Sequence, residues 1–434
     1  MKMQVMLILV ILIASGCAAP EAGGEATGAD AGAAENSAGA EQEIPQETAE
    51  REERAYAISP LFTPLRGCEE KNPRFSYSPI DMEVIAIIEP QGELTDRTSG
   101  HITPGDHIGI QYPKTDGPHK LYAMADGYIV RMERQPRSSL FGLSDDVENL
   151  HVYFEYSCSL LGSYVHVTKL TEEILSSSQR LKEFYTKPRP ANTESIYERI
   201  PVKAGQQIGE VQGFGLLGML TVDTDVMLSG FISPEIYEGE PWKIHAVAPF
   251  DYFNEPIRSQ LIAKNARKEE PRGGKIDFDV PGRLAGNWFL EGTDYSGNQK
   301  NQGYCGDYLC PYWDTHLAFV YDFVDHGQIR VSVGYDAGIA ENGPYGAKGN
   351  SPDPKDVSLS SGMVKYELVG LKDVDREFNI ISQGKPIHTE GSGEVVGTML
   401  VQMREDDKIQ VEVFPGKTAS QTDSFTGKSM VYWR

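Results

Sequence analysis

Two histidines, two aspartates and a glutamine set in short apolar runs are the first candidates for chemistry in this 434-residue chain. His107 and Gln111 lie in His107-Ile108-Gly109-Ile110-Gln111, and His166 lies in Tyr164-Val165-His166-Val167. Asp223 and Asp225 lie in Asp223-Thr224-Asp225-Val226. Imidazoles and carboxylates are side chains that ligate divalent cations, and imidazole also moves protons near neutral pH. Both aspartates are anionic there, since the reference pKa is about 3.9. A lone histidine beside β-branched residues, as at His166, fits equally well as a hydrogen-bonded core or rim residue. Other sources of chemistry are missing. There is no G-x-S-x-G elbow and no Walker loop. Gly213-Phe214-Gly215-Leu216-Leu217-Gly218 has G-x-G-x-x-G spacing but reads as a groove loop, not a dinucleotide cradle. Glu210, Asp251 and the other scattered acids form no paired-carboxylate signature. His151, His245, His316, His326 and His388 show no ligand spacing, and turn-like Pro104-Gly105 separates His101 from His107.

Taken in chain order, these blocks are joined by Ala125-Asp126-Gly127 and by Lys203-Ala204-Gly205 with Ile208-Gly209. The series resembles the lysostaphin-type (LytM-like) zinc endopeptidases, which cut short peptide bridges in bacterial cell walls, over roughly half of the chain. That family holds zinc with the His and Asp of an H-x-G-x-D pattern and the second His of H-x-H. The first His of H-x-H and the His of Y-x-H assist the attacking water. Carried over, the resemblance implies His107 as first metal ligand, with Gln111 where the Asp belongs. Asp225 and Asp223 stand for the two histidines of H-x-H, and His166 keeps its assisting place. Catalytic zinc needs three suitable protein ligands and an open position for water. The amide oxygen of Gln111 is a poor zinc ligand, and a carboxylate at Asp225 hardens the site towards calcium, magnesium or manganese. The resemblance therefore implies a degenerate groove domain that binds without cutting and needs no cofactor. Zinc or another divalent metal is expected only if a site survives, and an active metalloendopeptidase with altered ligands is the alternative.

These residues need elements to hold them. Over 55–263 the pattern is mainly short strands, at Glu83 to Ile88, His107 to Tyr112, Tyr128 to Met132, His151 to Tyr156 and Tyr164 to Val167. Asp126-Gly127 is a hairpin signal. Leu170, Ile174, Leu175, Leu181 and Phe184 have helical spacing. Polar, breaker-rich 264–275 reads as a linker. The region 276–434 alternates as strands, for instance Leu317-Phe319-Tyr321-Phe323 and Ile409-Val411-Val413, which predicts an all-β barrel or sandwich. Gly286-Asn287-Trp288 is similar to the start of a lipocalin, and such a barrel would offer a place for a small apolar ligand. The expected fold class is thus mainly β, a lysostaphin-like antiparallel groove domain followed by a second all-β domain.

The chain opens with one lysine, an apolar run from Val5 to Ile13 and Ala14-Ser15-Gly16-Cys17. This is a secretory signal over 1–16, too short for a comfortable membrane span, and it resembles the lipobox of bacterial lipoproteins with Cys17 as the acylated residue. Residues 17–54 are small and acidic and read as a disordered tether. The expected location is outside the cytoplasm, anchored to the membrane by lipid, with an envelope peptide, glycan or protein as partner. A net charge of -23 argues against nucleic acid as a partner. Cys68, Cys158, Cys305 and Cys310 form an even set for an oxidising compartment. Pairs Cys305–Cys310 and Cys68–Cys158 are the default among three possible connectivities.

Overall fold

The computed structural model describes residues 67–69, 71–95, 101–114, 117–135, 147–188, 190, 193–295, 304–305, 308–309, 312–334, 343–373 and 389–434. Cys17, the leader and tether, and the Cys305–Cys310 pairing lie outside the described residues. Among those described, no helix is long and apolar enough to cross a membrane.

The first region carries β1 (Ile87–Glu89), β2 (Ile108–Gln111), β3 (His119–Tyr122), β4 (Gly127–Arg134) and β5 (Leu150–Glu155). It continues with β6 (Leu160–Val167), β7 (Lys169–Leu170), β8 (Glu194–Val202), β9 (Gln207–Val211) and β10 (Leu216–Asp223). Seven of these form one antiparallel sheet in the order β1-β2-β10-β6-β5-β4-β8, and β3-β9-β7 form a smaller one. The pleat sends alternate residues to opposite faces. Ile108, Ile110, Leu217, Met219, Val152 and Phe154 turn inward, towards Ile208 of the small sheet and Leu181. Val130, Tyr153, Leu161, Leu220 and Val222 turn to the other face.

The helical spacing from Leu170 to Phe184 is realised as two helices, α1 (Glu172–Ser176) and α2 (Gln179–Thr186). The break falls at Ser178, whose extended backbone lets its hydroxyl cap the second helix by accepting from Leu181 N–H. Asp126-Gly127 does not turn a hairpin, because β3 and β4 belong to different sheets. Asp126 instead accepts from Ala204 N–H at 2.9 Å and from Lys203 Nζ at 2.8 Å, tying two loops together.

The stretch read as a linker is packed. After α3 (Ile257–Lys264), Asn265 and Arg267 are buried, and Ala266 N–H donates to Ile88 O at 2.9 Å beside the edge strand β1. Arg267 also donates to Phe323 O of the second region at 3.1 Å. Its polarity serves buried hydrogen bonds as well as solvent.

The second region holds β11 (Gly286–Leu290), the short pair β12 (Tyr304–Cys305) and β13 (Tyr308–Leu309), β14 (His316–Tyr321) and β15 (Ile329–Val333). β16 (Gly343–Ala347), β17 (Met363–Asp373), β18 (Thr389–Arg404), β19 (Lys408–Pro415) and β20 (Met430–Trp433) follow. Eight of them close into an antiparallel barrel, with β20 pairing back onto β11. The alternation seen in the sequence fills its interior: Phe319, Val331, Tyr366, Met399, Val401 and Val411 are buried in one cluster with Trp288. Eight strands enclose a space that side chains of this size fill.

One end of the barrel is held by Arg434. Its guanidinium lies 4.1 Å from the Trp288 ring centroid and donates to Ala285 O at 2.6 Å, Val280 O at 2.8 Å and Arg283 O at 2.6 Å. Asp279 is 3.8 Å from it. Gly286 sits beneath with φ 134°, where a Cβ would meet Asp279 Oδ1 at 2.2 Å. The Gly-Asn-Trp start therefore needs its glycine on both grounds.

Burial raises the Asp279 carboxyl from its ordinary 3.8 to about 6, against the pull of Arg434. An acid raised on folding adds stability below its unfolded pKa, and that contribution is lost as pH rises through the folded value. Asp279 should thus stabilise the fold most below about pH 4 and progressively less up to about pH 6. Denaturation of wild type and Asp279→Asn across this range should show that slope in wild type and a flatter one in the variant. Equal slopes would contradict it.

Candidate functional site

The structure separates His107 and Gln111 from Asp223 across the large sheet and leaves Asp225 beyond the end of β10. The register Met219↔Ile108 places Leu220 opposite His107, so His107, Gly109 and Gln111 share a face with Leu220 and Val222. Asp223 is three residues beyond Leu220, an odd step that turns it to the other face about 10 Å along the strand. Asp225 follows in the next turn, its N–H donating to Asp223 Oδ1 at 3.0 Å. Gln111 is also committed elsewhere: its Nε2 donates to Glu89 Oε1 of β1. Burial pushes the Glu89 carboxyl up, and Glu93 adds to the rise. His107, Gln111 and Asp225 do not converge. Among the described residues no group of three or more His, Cys, Asp or Glu is placed to hold a metal ion. The donor set does not fit zinc.

His107 is instead built into a polar cluster. Its Nδ1 lies 3.2 Å from Asp106 Oδ1, and Trp242 Nε1 donates to Asp106 Oδ2 at 3.2 Å. Burial alone would raise Asp106, but Lys243 and the two neighbouring histidines hold it well below the usual carboxylate range. Lys243 is buried, donating to Pro104 O at 2.6 Å and standing 5.3 Å from the Tyr295 ring. His101 packs edge-on to His107 at 5.0 Å. Burial, then His107 and Lys243, lower His101 to about 3. At Gly218 a Cβ would lie 3.4 Å from His107 Cδ2 and 2.3 Å from Val165 Cγ2, so this β10 position admits no larger side chain without displacement.

His166 has φ 68°, stacks on Phe214 at 4.5 Å and places Nδ1 3.2 Å from Asn149 Oδ1. Burial, then His151 and His107, lower it to about 3. A ring so weakly basic is a poor general base at neutral pH. The face that His107 shares with Leu220 is covered. Leu220, Val222 and Leu161 are buried in one cluster with Phe231, Ile236 and Tyr237, and with Phe289 and Tyr295 of the second region.

Asp223 and Asp225 belong to a different feature. They line a polar cleft of about 400 Å³ with Lys71, Ser157, Ser159 and Tyr252. Tyr252 O–H donates to Asp223 Oδ2 at 2.6 Å. A second cleft, of about 410 Å³, shares Tyr252 and runs on to Val226, Ala246, Ala248 and Ile276. The disulfide Cys68–Cys158 borders the first cleft, bridging chain positions 90 apart. Sequence reading missed Glu89, Asp106, Trp242 and Tyr252. Only Glu89 and Asp106 carry a local signal, as acids flanking the apolar runs of β1 and β2. Trp242 and Tyr252 arrive through long-range packing.

No protein-family model and no curated protein matches this chain.

Proposed function

We propose that this chain is a lipid-anchored extracytoplasmic protein whose first domain is a peptidase-like module that binds an envelope partner without cutting it. The observation that supports this most is the separation of His107 and Gln111 from Asp223 and Asp225 across the sheet. A hydrolytic metal needs ligands that meet at one point with an open position. Gln111 bonded to Glu89 and Asp223 bonded to Tyr252 are held in place by partners of their own. The joined clefts around Tyr252 supply a concave surface for a ligand. The anchor rests on Ala14-Ser15-Gly16-Cys17. A small apolar ligand in the barrel has less support, since Trp288, Phe319, Tyr366 and Met399 already fill the inward positions.

The test is metal content by mass spectrometry on the full chain, solubilised in detergent and purified without chelator, beside an assay for cleavage of wall peptides. The expected result is no stoichiometric zinc and no turnover, in wild type and in His107→Ala alike. Stoichiometric zinc and metal-dependent turnover, both lost in His107→Ala, would establish the peptidase instead.

A further inference from the structure

We propose that the two clefts meeting at Tyr252 bind an oligosaccharide of acetamido sugars, which rests on the binding-module reading above and gives it a ligand class. The first cleft mixes acceptors and donors: carboxylates at Asp223 and Asp225, hydroxyls at Ser157 and Ser159, the amide of Asn72 and the ammonium of Lys71. A sugar hydroxyl donates and accepts at once, and this lining answers both needs. Lys71 also pairs with Glu69 at 3.2 Å. The second cleft changes character, with Val226, Leu228, Ala246, Ala248 and Ile276 beside Arg74 and Gln91. An acetamido group carries a methyl for such an apolar wall and an amide for the polar side chains at its margin.

Tyr252 stands between the two. Its phenol is tied to Asp223, its ring leans on Phe75 at 6.0 Å, and it lines both clefts. Each cleft lies at the low end of the ~300–1,000 Å³ usual for small-ligand sites, so an extended ligand occupying both suits them better than one compact molecule. Val226 lines the second cleft and is 38% exposed.

Calorimetric titration of the full chain in detergent with tetra-N-acetylchitotetraose tests this, with maltotetraose and a lysine-rich tetrapeptide as counter-probes. Saturable binding of the acetamido oligomer is expected, weakened about tenfold or more in Asp225→Ala and Tyr252→Ala. Asp225 is exposed, so its variant reports binding without disturbing the fold. Tyr252→Phe keeps the ring and should retain most of the affinity. Equal binding of maltotetraose would overturn the acetamido assignment. Binding of the peptide alone, lost in Asp225→Ala, would overturn the sugar proposal and leave the binding module standing. Metal-dependent cleavage of wall peptides would remove the reading beneath it, and failure of every probe would overturn the proposal itself.

Discussion

Arg434→Ala should lower the stability of the barrel by about 3–5 kcal/mol, the cost of removing one partner from a buried charge pair. The side chain is almost fully buried and serves three carbonyls, the Trp288 face and Asp279 together. Its removal leaves Ala285, Val280 and Arg283 short of a donor and leaves Asp279 buried without its cation. Arg434→Lys keeps the charge but neither the planar stack nor the forked donors, so an intermediate loss is expected. Guanidinium unfolding followed by tryptophan fluorescence reads the effect directly, since Trp288 lies under the guanidinium. A loss below about 1 kcal/mol for the alanine variant would show that the barrel closes without this contact.

Reducing Cys68–Cys158, or replacing both cysteines with serine, should cost the first region about 4–5 kcal/mol in the chain-entropy account of a cross-link this long. The bond holds the chain leading to Lys71 against the turn of Ser157 and Ser159, and these residues line the polar cleft. Oligosaccharide affinity should therefore fall with stability on reduction. Urea unfolding with and without reductant measures the first effect, and the same midpoint in both would contradict it.

Much of the scaffold was legible in the chain itself. Period-two alternation is a local property, so strands at His107, Tyr128, His151 and Tyr164 could be read, as could Leu317-Phe319 and Val331-Val333 in the barrel. Closure of that barrel could not, since the pairing of β20 with β11 and the reach of Arg434 to Trp288 span the whole domain. The candidate residues are dispersed for a specific reason. Residue types at family spacing say nothing about pleat phase, and an odd step along β10 separates Leu220, facing with His107, from Asp223, facing away. The linker misled for a related reason: Asn265, Arg267 and Arg272 look solvent-seeking by type, yet their polar groups are spent on backbone carbonyls. Cys68–Cys158 was the default pairing, and the structure contains it.

The sheet order β1-β2-β10-β6-β5-β4-β8 also governs the route by which each half can assemble. In the barrel, every strand but the closing pair lies beside a near neighbour in sequence, so pairing can proceed along the chain before β20 returns to β11. The first domain is continuous in this way only over β1-β2 and β4-β5-β6. Its interior strand β10 is the last of its strands to be made, and it joins β1-β2 to β6-β5-β4-β8 by lying between β2 and β6. Both domains therefore complete on a long-range pairing made by their last strand, β10 between β2 and β6 in the first and β20 onto β11 in the second. The barrel is completed at its seam, the sheet from within.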